Sequence, residues 1–458
     1  LQLAQAVLGT VAMSEFTPSP MQAKAIDQII HWYLHESKEK QLFRVFGFAG
    51  AGKTTILKAA MDRLGGVVMP RIGRNERVVN VDFQRKEVVD EDARRGQPPN
   101  VLFATFTGKA ALVMSRKGTP ASTIHSLIYA VTEPTKETIE EAKLKLAELH
   151  ANPPTDATQA MLWRAMVRDR ELEIKNMHRP TFVLNTESIL RDADLLVIDE
   201  VSMISEEMAC DLLSFKKPIL VLGDPGQLPP IKGEGYFTQA EPDVFLSEIH
   251  RQAEDSAIIR LATMAREGKY IPIGRHSDTV WKVDRNSLNP QSLLRADQVI
   301  CGFNATRIML NNELKRAAGF PEPLPVGGEK IICLKNQHDS GLINGQFLEL
   351  SQVEPASDKS FRAHIKTEDG QDIGQSTIYR GHFDDHVNLD KDRGERDYFI
   401  KKGRVECVWG YAITGHKSQG SGWNNVIVFD DGFGRKEDRK KWLYTCITRA
   451  ISGLVIME

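Results

Sequence analysis

The sequence predicts an α/β fold with two cores, each a parallel β-sheet covered by helices on both faces. Three observations carry this. Four apolar strand-like runs, Leu42–Phe46, Val101–Thr105, Leu195–Ile198 and Ile219–Leu222, alternate with helical stretches. A second set, "QVIC" (298–301), "NVIVF" (425–429) and "LVIM" (454–457), accompanies a helical "ATRIMLNNELKRA" (305–317). The 458 residues exceed what one ordinary hydrophobic core organises and indicate several domains.

The first strand runs into "GFAGAGKTT" (47–55), which fits G-x-x-x-x-G-K-[ST] as Gly47, Gly52, Lys53 and Thr54. Such a loop turns backbone N–H groups toward phosphate oxygens, and the following helix, "ILKAAMDRL", adds its positive N-terminus. Gly47, Ala49, Gly50, Ala51, Gly52, Lys53, Thr54 and Thr55 are the nucleotide-binding candidates. Lys53 would neutralise the β- and γ-phosphates of ATP, and Thr54 would place its hydroxyl on Mg²⁺.

A second strand ends in acid, "LLVIDEVSMIS" (195–205). Asp199 is expected in the Mg²⁺ shell and Glu200 as the base for the attacking water. By itself an acidic pair there is as often a plain strand end; the phosphate loop is what raises it above that. A third strand, in "PILVLGDPGQLPPI" (218–231), leads into a Gly/Pro turn with Asp224 and Gln227. Gln227 suits a γ-phosphate or the attacking water, and equally a solvated turn; spacing does not choose. These residues describe a nucleoside triphosphatase that still needs a switchable cation.

The order of segments then resembles the superfamily 1B helicases of the RecD/Dda/Pif type. "FTPSPMQAKAI" (16–26) is similar to the Q motif, "GFAGAGKTT" to motif I, "FATFTGKAA" (103–111) to Ia and "ASTIHSLI" (121–128) to Ib. "VIDEVSM", "LGDPGQLPP", "LSEIHRQ" (246–252), "GYAITGHKSQGSGW" (410–423) and "YTCITRA" (444–450) follow as motifs II to VI. Each is weak alone; the ordered set is specific and spans nearly the whole chain. Two departures are Phe106 where motif Ia usually has Pro, and Cys446 where motif VI usually has Ala.

The resemblance implies two RecA-like P-loop cores, with ATP in the cleft between them. It places the first core at 1–129 and 186–245 and the second at 246–345 and 405–458. It implies an inserted pin domain at 130–185, which here looks mainly helical around "ANPPTD", with stripes Ile139/Ala142/Leu146/Leu149 and Met161/Ala165/Leu172. It implies a small SH3-like β insertion at 346–404, whose strand-like runs are "QFLELSQVE", "FRAHIKT" and "DYFIKKG". Gln22 would meet the adenine. Arg251 and Arg449 would supply the missing cations at the γ-phosphate. Thr107, Lys109, Thr123 and His125 on one core, and Thr414, His416 and Lys417 on the other, would grip single-stranded DNA. Phe106 and Trp423 are candidates for base stacking, although packing into the core suits both equally. The implied activity is ATP-dependent translocation on single-stranded DNA, 5′ to 3′, with unwinding at duplex junctions. An RNA-directed helicase of the same superfamily and a polynucleotide-independent P-loop NTPase are the alternatives.

Charge and composition bound the remainder. The net charge of −2 provides no general basic coat, so any nucleic-acid contact must be a local groove. The charged "QRKEVVDEDARR" (84–95) between motifs I and Ia reads as a solvated insertion. The five cysteines have no metal or redox spacing and are expected to be buried free thiols of a cytoplasmic protein. No run is long enough for a membrane span, and the apolar N-terminal stretch has no basic region of a signal peptide. The expectation is a monomer acting without a membrane.

Overall fold

The structure, a computed structural model, describes residues 17–65, 67–68, 99–132, 135–154, 156–176, 181–230, 233–247, 256–320, 322, 324–337, 340–384 and 400–458. The expected solvated insertion at 84–95 lies outside them.

The first core is a seven-stranded sheet among the described residues. Its strands are β1 (Leu42–Gly47), β2 (Val67–Val68), β3 (Asn100–Thr105), β4 (Ser122–Thr123), β7 (Leu195–Asp199), β8 (Ile219–Gly223) and β9 (Val244–Leu246). The order is β2-β3-β7-β8-β1-β9, with β4 beside β3, and every pairing is parallel. Helices cover both faces, so the strands read as near-continuous apolar runs; Leu195 to Ile198 and Ile219 to Leu222 are fully buried. The register aligns Thr105 with Asp199 and Phe46 with Gly223. The carboxyl ends of β1, β3, β7 and β8 therefore share one edge, where open α/β sheets hold ligands.

The chain leaves this core through an antiparallel ribbon, β5 (Tyr129–Thr132) with β6 (Thr181–Leu184). Between its strands stand helices Lys136–Ala151 and Ala157–Asn176. Ile139 and Ala142 are buried as expected. The second stripe requires correction: Met161, Leu162, Met166 and Leu172 face outward, and Val167 and Ile174 are the buried positions. On the buried face Trp163 Nε1 donates to Leu149 O of the preceding helix (2.9 Å). The apolar residues of the second helix are scattered round its circumference, so the helical period alone does not fix which of them is buried.

The second core is a six-stranded sheet among the described residues: β10 (Gly274–Arg275), β11 (Val280–Val283), β12 (Gln298–Cys301), β18 (Ala412–Thr414), β19 (Trp423–Phe429) and β20 (Ala450–Met457). Its order is β10-β11-β20-β19-β12-β18, parallel apart from the β10–β11 hairpin. Helix Asn304–Ala317 falls where the sequence predicts one.

A five-stranded antiparallel sheet is inserted in this core, with β13 (Lys330–Cys333), β14 (Phe347–Ser357), β15 (Ser360–Thr367), β16 (Asp372–Tyr379) and β17 (Cys407–Trp409) in the order β16-β15-β14-β13-β17. It extends beyond 346–404 at both ends, taking in β13 and β17. "DYFIKKG" is not a strand where it is described: Ile400 and Lys401 end a helix and a turn follows. Leu350, Ile365 and Ile378 of this sheet share one buried cluster with Trp442 and Ile456 of the second core. Cys301, Cys333, Cys407 and Cys446 are buried free thiols, whereas Cys210 is exposed, contrary to expectation. No helix among the described residues is long and apolar enough to cross a membrane.

Candidate active site and nucleic-acid interface

The phosphate loop hangs from the carboxyl end of β1. Gly50 and Gly52 have φ of 83° and 80°, the left-handed region that glycine enters without cost, and Gly52 is the N-cap of helix Lys53–Leu64. Gly47 is required for space: a Cβ there would stand 2.9 Å from Leu246 Cβ on β9. Thr54 and Thr55 lie exposed on the first turn of the helix, and Ala51 is buried. The Lys53 ammonium folds back onto the loop, donating to Gly47 O (2.6 Å) and Phe48 O (3.2 Å). Gln22 closes the capping box of helix Pro20–His31 with Ser19, and its amide donates to Ala51 O (3.4 Å). The Q-motif glutamine is thus tied to the loop's backbone.

The acids sit on the same sheet edge. Asp199 ends β7, and its carboxylate accepts the Glu200 N–H (2.8 Å). Glu200 is one of three non-glycine residues with positive φ among those described, at 57°. That strained conformation, held at a strand end beside the phosphate loop, belongs to a site where geometry is imposed from outside the local sequence. Burial and the Glu200 charge push the Asp199 pKa up to about 6, against the opposing pull of Lys53. Asp224 is almost fully buried, and burial raises its pKa too, partly offset by Lys53 and by Tyr444. Gln227 is buried, and its Oε1 has no hydrogen-bond partner. A buried amide oxygen without a donor beside a phosphate loop favours the functional reading over the solvated turn, because leaving it unmade is costly. A magnesium ion fits this donor set: a threonine hydroxyl and an anion-crowded carboxylate are hard oxygen ligands, and excess negative charge at Asp199 is what a divalent cation relieves. No cluster of three or more His, Cys, Asp or Glu occurs among the described residues.

The second core reaches this edge through helix Lys436–Ile447. The Tyr444 hydroxyl accepts the Ala49 N–H of the phosphate loop (2.8 Å) and donates to Asp224 Oδ2 (2.5 Å). Next to it, Thr445 Oγ1 accepts the Leu228 N–H (3.0 Å), and Gln419 donates to Leu228 O (3.1 Å). Motifs I and III of the first core therefore meet motifs V and VI of the second in a buried hydrogen-bonded seam. Arg449, the expected cation, is buried, and its guanidinium bonds Thr445 O, Ser421 O and Thr448 Oγ1, all within its own core. Arg251 lies outside the described residues. Tyr444, Thr445 and Gln419 were not among the sequence-derived candidates, although the motif segments contain them.

The strand-binding candidates fall into two groups. Thr107, Thr123 and Thr414 are each N-caps, accepting from Ala110 N, Ser126 N and Lys417 N, so their hydroxyls already serve the starts of short helices. Gly420 makes the two cores approach closely: a Cβ would fall 2.9 Å from Thr107 Oγ1 and 2.7 Å from Ala110 Cβ. Lys109 is buried, ion-paired with Glu368 of the inserted sheet and 5.8 Å from the Phe347 ring centroid. Lys417 donates to Asn344, and burial lowers its pKa to about 8. His125 packs edge-on between Phe106 (5.7 Å between centroids) and Phe182 (5.4 Å), and burial lowers its pKa. His416 is likewise lowered by burial and packs on Phe433 (5.8 Å). Trp423 is half-buried beside Phe347 (6.4 Å). The threonines and lysines 107, 109, 414 and 417 come together at one junction of the two cores with the inserted sheet. Phe106 and His125 form a separate aromatic group with Tyr129 and Phe182 at the root of the ribbon, and His125 stands on the helix that Thr123 caps.

Comparison with known proteins agrees with this geometry. Residues 18–280 match the model of an AAA domain family, and residues 410–457 match that of the UvrD-like helicase C-terminal domain. The ATP-dependent RecD2 DNA helicase of Deinococcus radiodurans is 38% identical over 288 residues, which are 56% of this chain and 35% of that protein. The chain thus matches about a third of the length of this relative. The Pif1 helicase of Bacteroides bound to single-stranded DNA superposes with a TM-score of 0.51 at 17% identity, covering 96% of this chain and 92% of that one. A structure of two coordinating Pif1 helicases at forked duplex DNA gives 0.50 at 16%, with the same coverage. At these identities the likeness concerns the overall fold. With the AAA domain model covering more than half of its length, the chain belongs to the AAA domain family.

Proposed function

We propose that the protein is an ATP-dependent DNA helicase that moves along single-stranded DNA, 5′ to 3′, and opens the duplex ahead of it. The observation that carries this reading is the seam at Tyr444, where the second core bonds the phosphate loop and Asp224 together. A triphosphate bound on that loop lies against both cores, so its arrival and hydrolysis change how they fit.

The residues take these roles. Lys53 leaves the carbonyls of Gly47 and Phe48 for the β- and γ-phosphates. Thr54 and Asp199 would hold Mg²⁺, which would supply screening of the phosphate charge. Glu200 takes the proton of the attacking water, and Gln227 Oε1 orients that water. Arg251 and Arg449 reach the γ-phosphate when the cleft closes, Arg449 exchanging its carbonyl partners for the anion. Gln22 borders the adenine. The hydroxyls and lysines at the junction hold strand phosphates, which carry no sequence information and suit a motor. Phe106 and its aromatic neighbours offer stacking surfaces worth about 1–3 kcal/mol per base. The helical arm at 130–185 takes the place of the strand-separating pin, and the inserted antiparallel sheet closes over the strand. The protein acts as a cytoplasmic monomer.

Lys53→Ala tests the reading. DNA-stimulated ATP hydrolysis is expected to fall at least 100-fold, because the loop loses its only side-chain cation, with single-strand binding largely kept. Hydrolysis that survives this change rules out the cradle.

A further inference from the structure

Arg266 is a cation that neither the motif pattern nor the comparisons assign. It lies in the last turn of helix Ala257–Glu267 of the second core, and its guanidinium lies over the ring of Phe48, 3.3 Å from the centroid. Phe48 is the second residue of the phosphate loop, and its carbonyl oxygen accepts the Lys53 ammonium. One residue of the loop therefore meets both cations, Lys53 at its carbonyl oxygen and Arg266 at its ring. The contact is framed by Gly226, where a Cβ would stand 3.3 Å from Arg266 Cδ and 3.0 Å from the Tyr444 ring.

The charge of this arginine is poorly matched. Its Nη1 is buried without a hydrogen-bond partner. The nearest ion pair is Nη2 to Glu267 Oε1 at 3.9 Å, and Glu267 is engaged more closely by Lys269 at 2.7 Å. Asp224, the buried acid at this point, receives the Tyr444 hydroxyl instead. A guanidinium with five donors, partly exposed but with Nη1 buried and short of an acceptor, gains from an arriving anion. The ring of Phe48 holds its plane in place, so the fork is oriented before the ligand comes.

We propose that Arg266 binds the terminal phosphate of the nucleoside triphosphate, acting from the second core opposite Lys53. This rests on the nucleotide reading given above. Arg266 donates to γ-phosphate oxygens once Lys53 has moved onto the β- and γ-phosphates, and it loses that partner when the γ-phosphate departs. It thereby distinguishes triphosphate from diphosphate.

The test compares binding of a non-hydrolysable ATP analogue and of ADP, each with Mg²⁺, to the full chain by calorimetry. Arg266→Gln is expected to weaken the triphosphate analogue roughly tenfold or more, the usual loss for a charged hydrogen bond, while ADP affinity changes less than about threefold. Arg266→Lys keeps the charge without the fork and is expected to fall between the two, again selectively for the triphosphate; it carries the test if the glutamine variant does not fold. Equal weakening of both nucleotides, or an unchanged triphosphate affinity, overturns the proposal. If the unaltered protein binds neither nucleotide, the nucleotide reading itself fails. If it binds both and Arg266→Gln keeps the preference for triphosphate, only the assignment of Arg266 fails.

Discussion

Asp199 shows how the site holds unfavourable charge in readiness for a ligand. Its carboxyl keeps a proton up to about pH 6 in the folded protein, because it is buried beside Glu200. Unfolded, it releases that proton near pH 4. Between those values the folded state binds more protons, so stability falls as pH rises through the window, and the whole cost is present above pH 6. Asp199→Asn removes that cost. In the absence of metal and nucleotide, this variant is expected to melt a few degrees above the unaltered protein at about pH 7.5 and level with it near pH 4. Thermal melts across that range check it, and a gap that widens toward acid refutes the assignment. Asp199 and Lys53 are legible from sequence because a strand end followed by acid, or by a glycine loop, is a local pattern. Tyr444 and Arg266 are not, because what marks them is the loop they lie against, contributed by residues some 200 to 400 positions away in the chain.

Among the elements, the turn between β15 and β16 has the clearest consequence. Its acids Glu368 and Asp369 pair with Lys109 and Arg116 (3.0 Å for the latter) on helix Gly108–Arg116 of the first core. These carboxylates occupy the positive groups that a strand phosphate would need. Glu368→Gln is expected to tighten single-stranded DNA binding about two- to fivefold at low salt and to steepen the log–log salt dependence by roughly one charge. Fluorescence anisotropy over a salt series measures both, and weaker binding would mean that the pair supports the groove instead of screening it. The central strands β1, β3, β7, β8, β12, β19 and β20 were readable as buried apolar runs, whereas the short β2, β4, β9, β10, β11 and β18 were not. The limits of the antiparallel sheet were not, since β13 and β17 are three or four residues long and acquire their meaning only by pairing with each other and with β14. In helix Ala157–Asn176 the apolar residues do not confine themselves to one face, and packing on helix Lys136–Ala151, with Trp163 bonded to Leu149, accompanies burial of Val167 and Ile174.

For the molecule as a whole, the unit of function is the pair of cores with the loop between them. Strand displacement on forked duplexes tests that unit. A fork with a 5′ single-stranded tail is expected to be opened in an ATP-dependent manner, and one with only a 3′ tail is not; the reverse preference overturns the polarity. Opening each step costs on average about 1.4 kcal/mol of stacking, a modest load for one nucleotide cycle per base. The chemistry of the phosphate loop, its carboxylates and the alternation that builds parallel sheets were all present in the order of residues, because each depends on neighbours within a few positions. Which side chains of the second core meet that loop, which lysines are already paired with acids, and how Arg449 is held were set by packing between distant segments. Hydrogen bonds and ion pairs across a seam depend on distance in space, and local sequence pattern does not encode that distance.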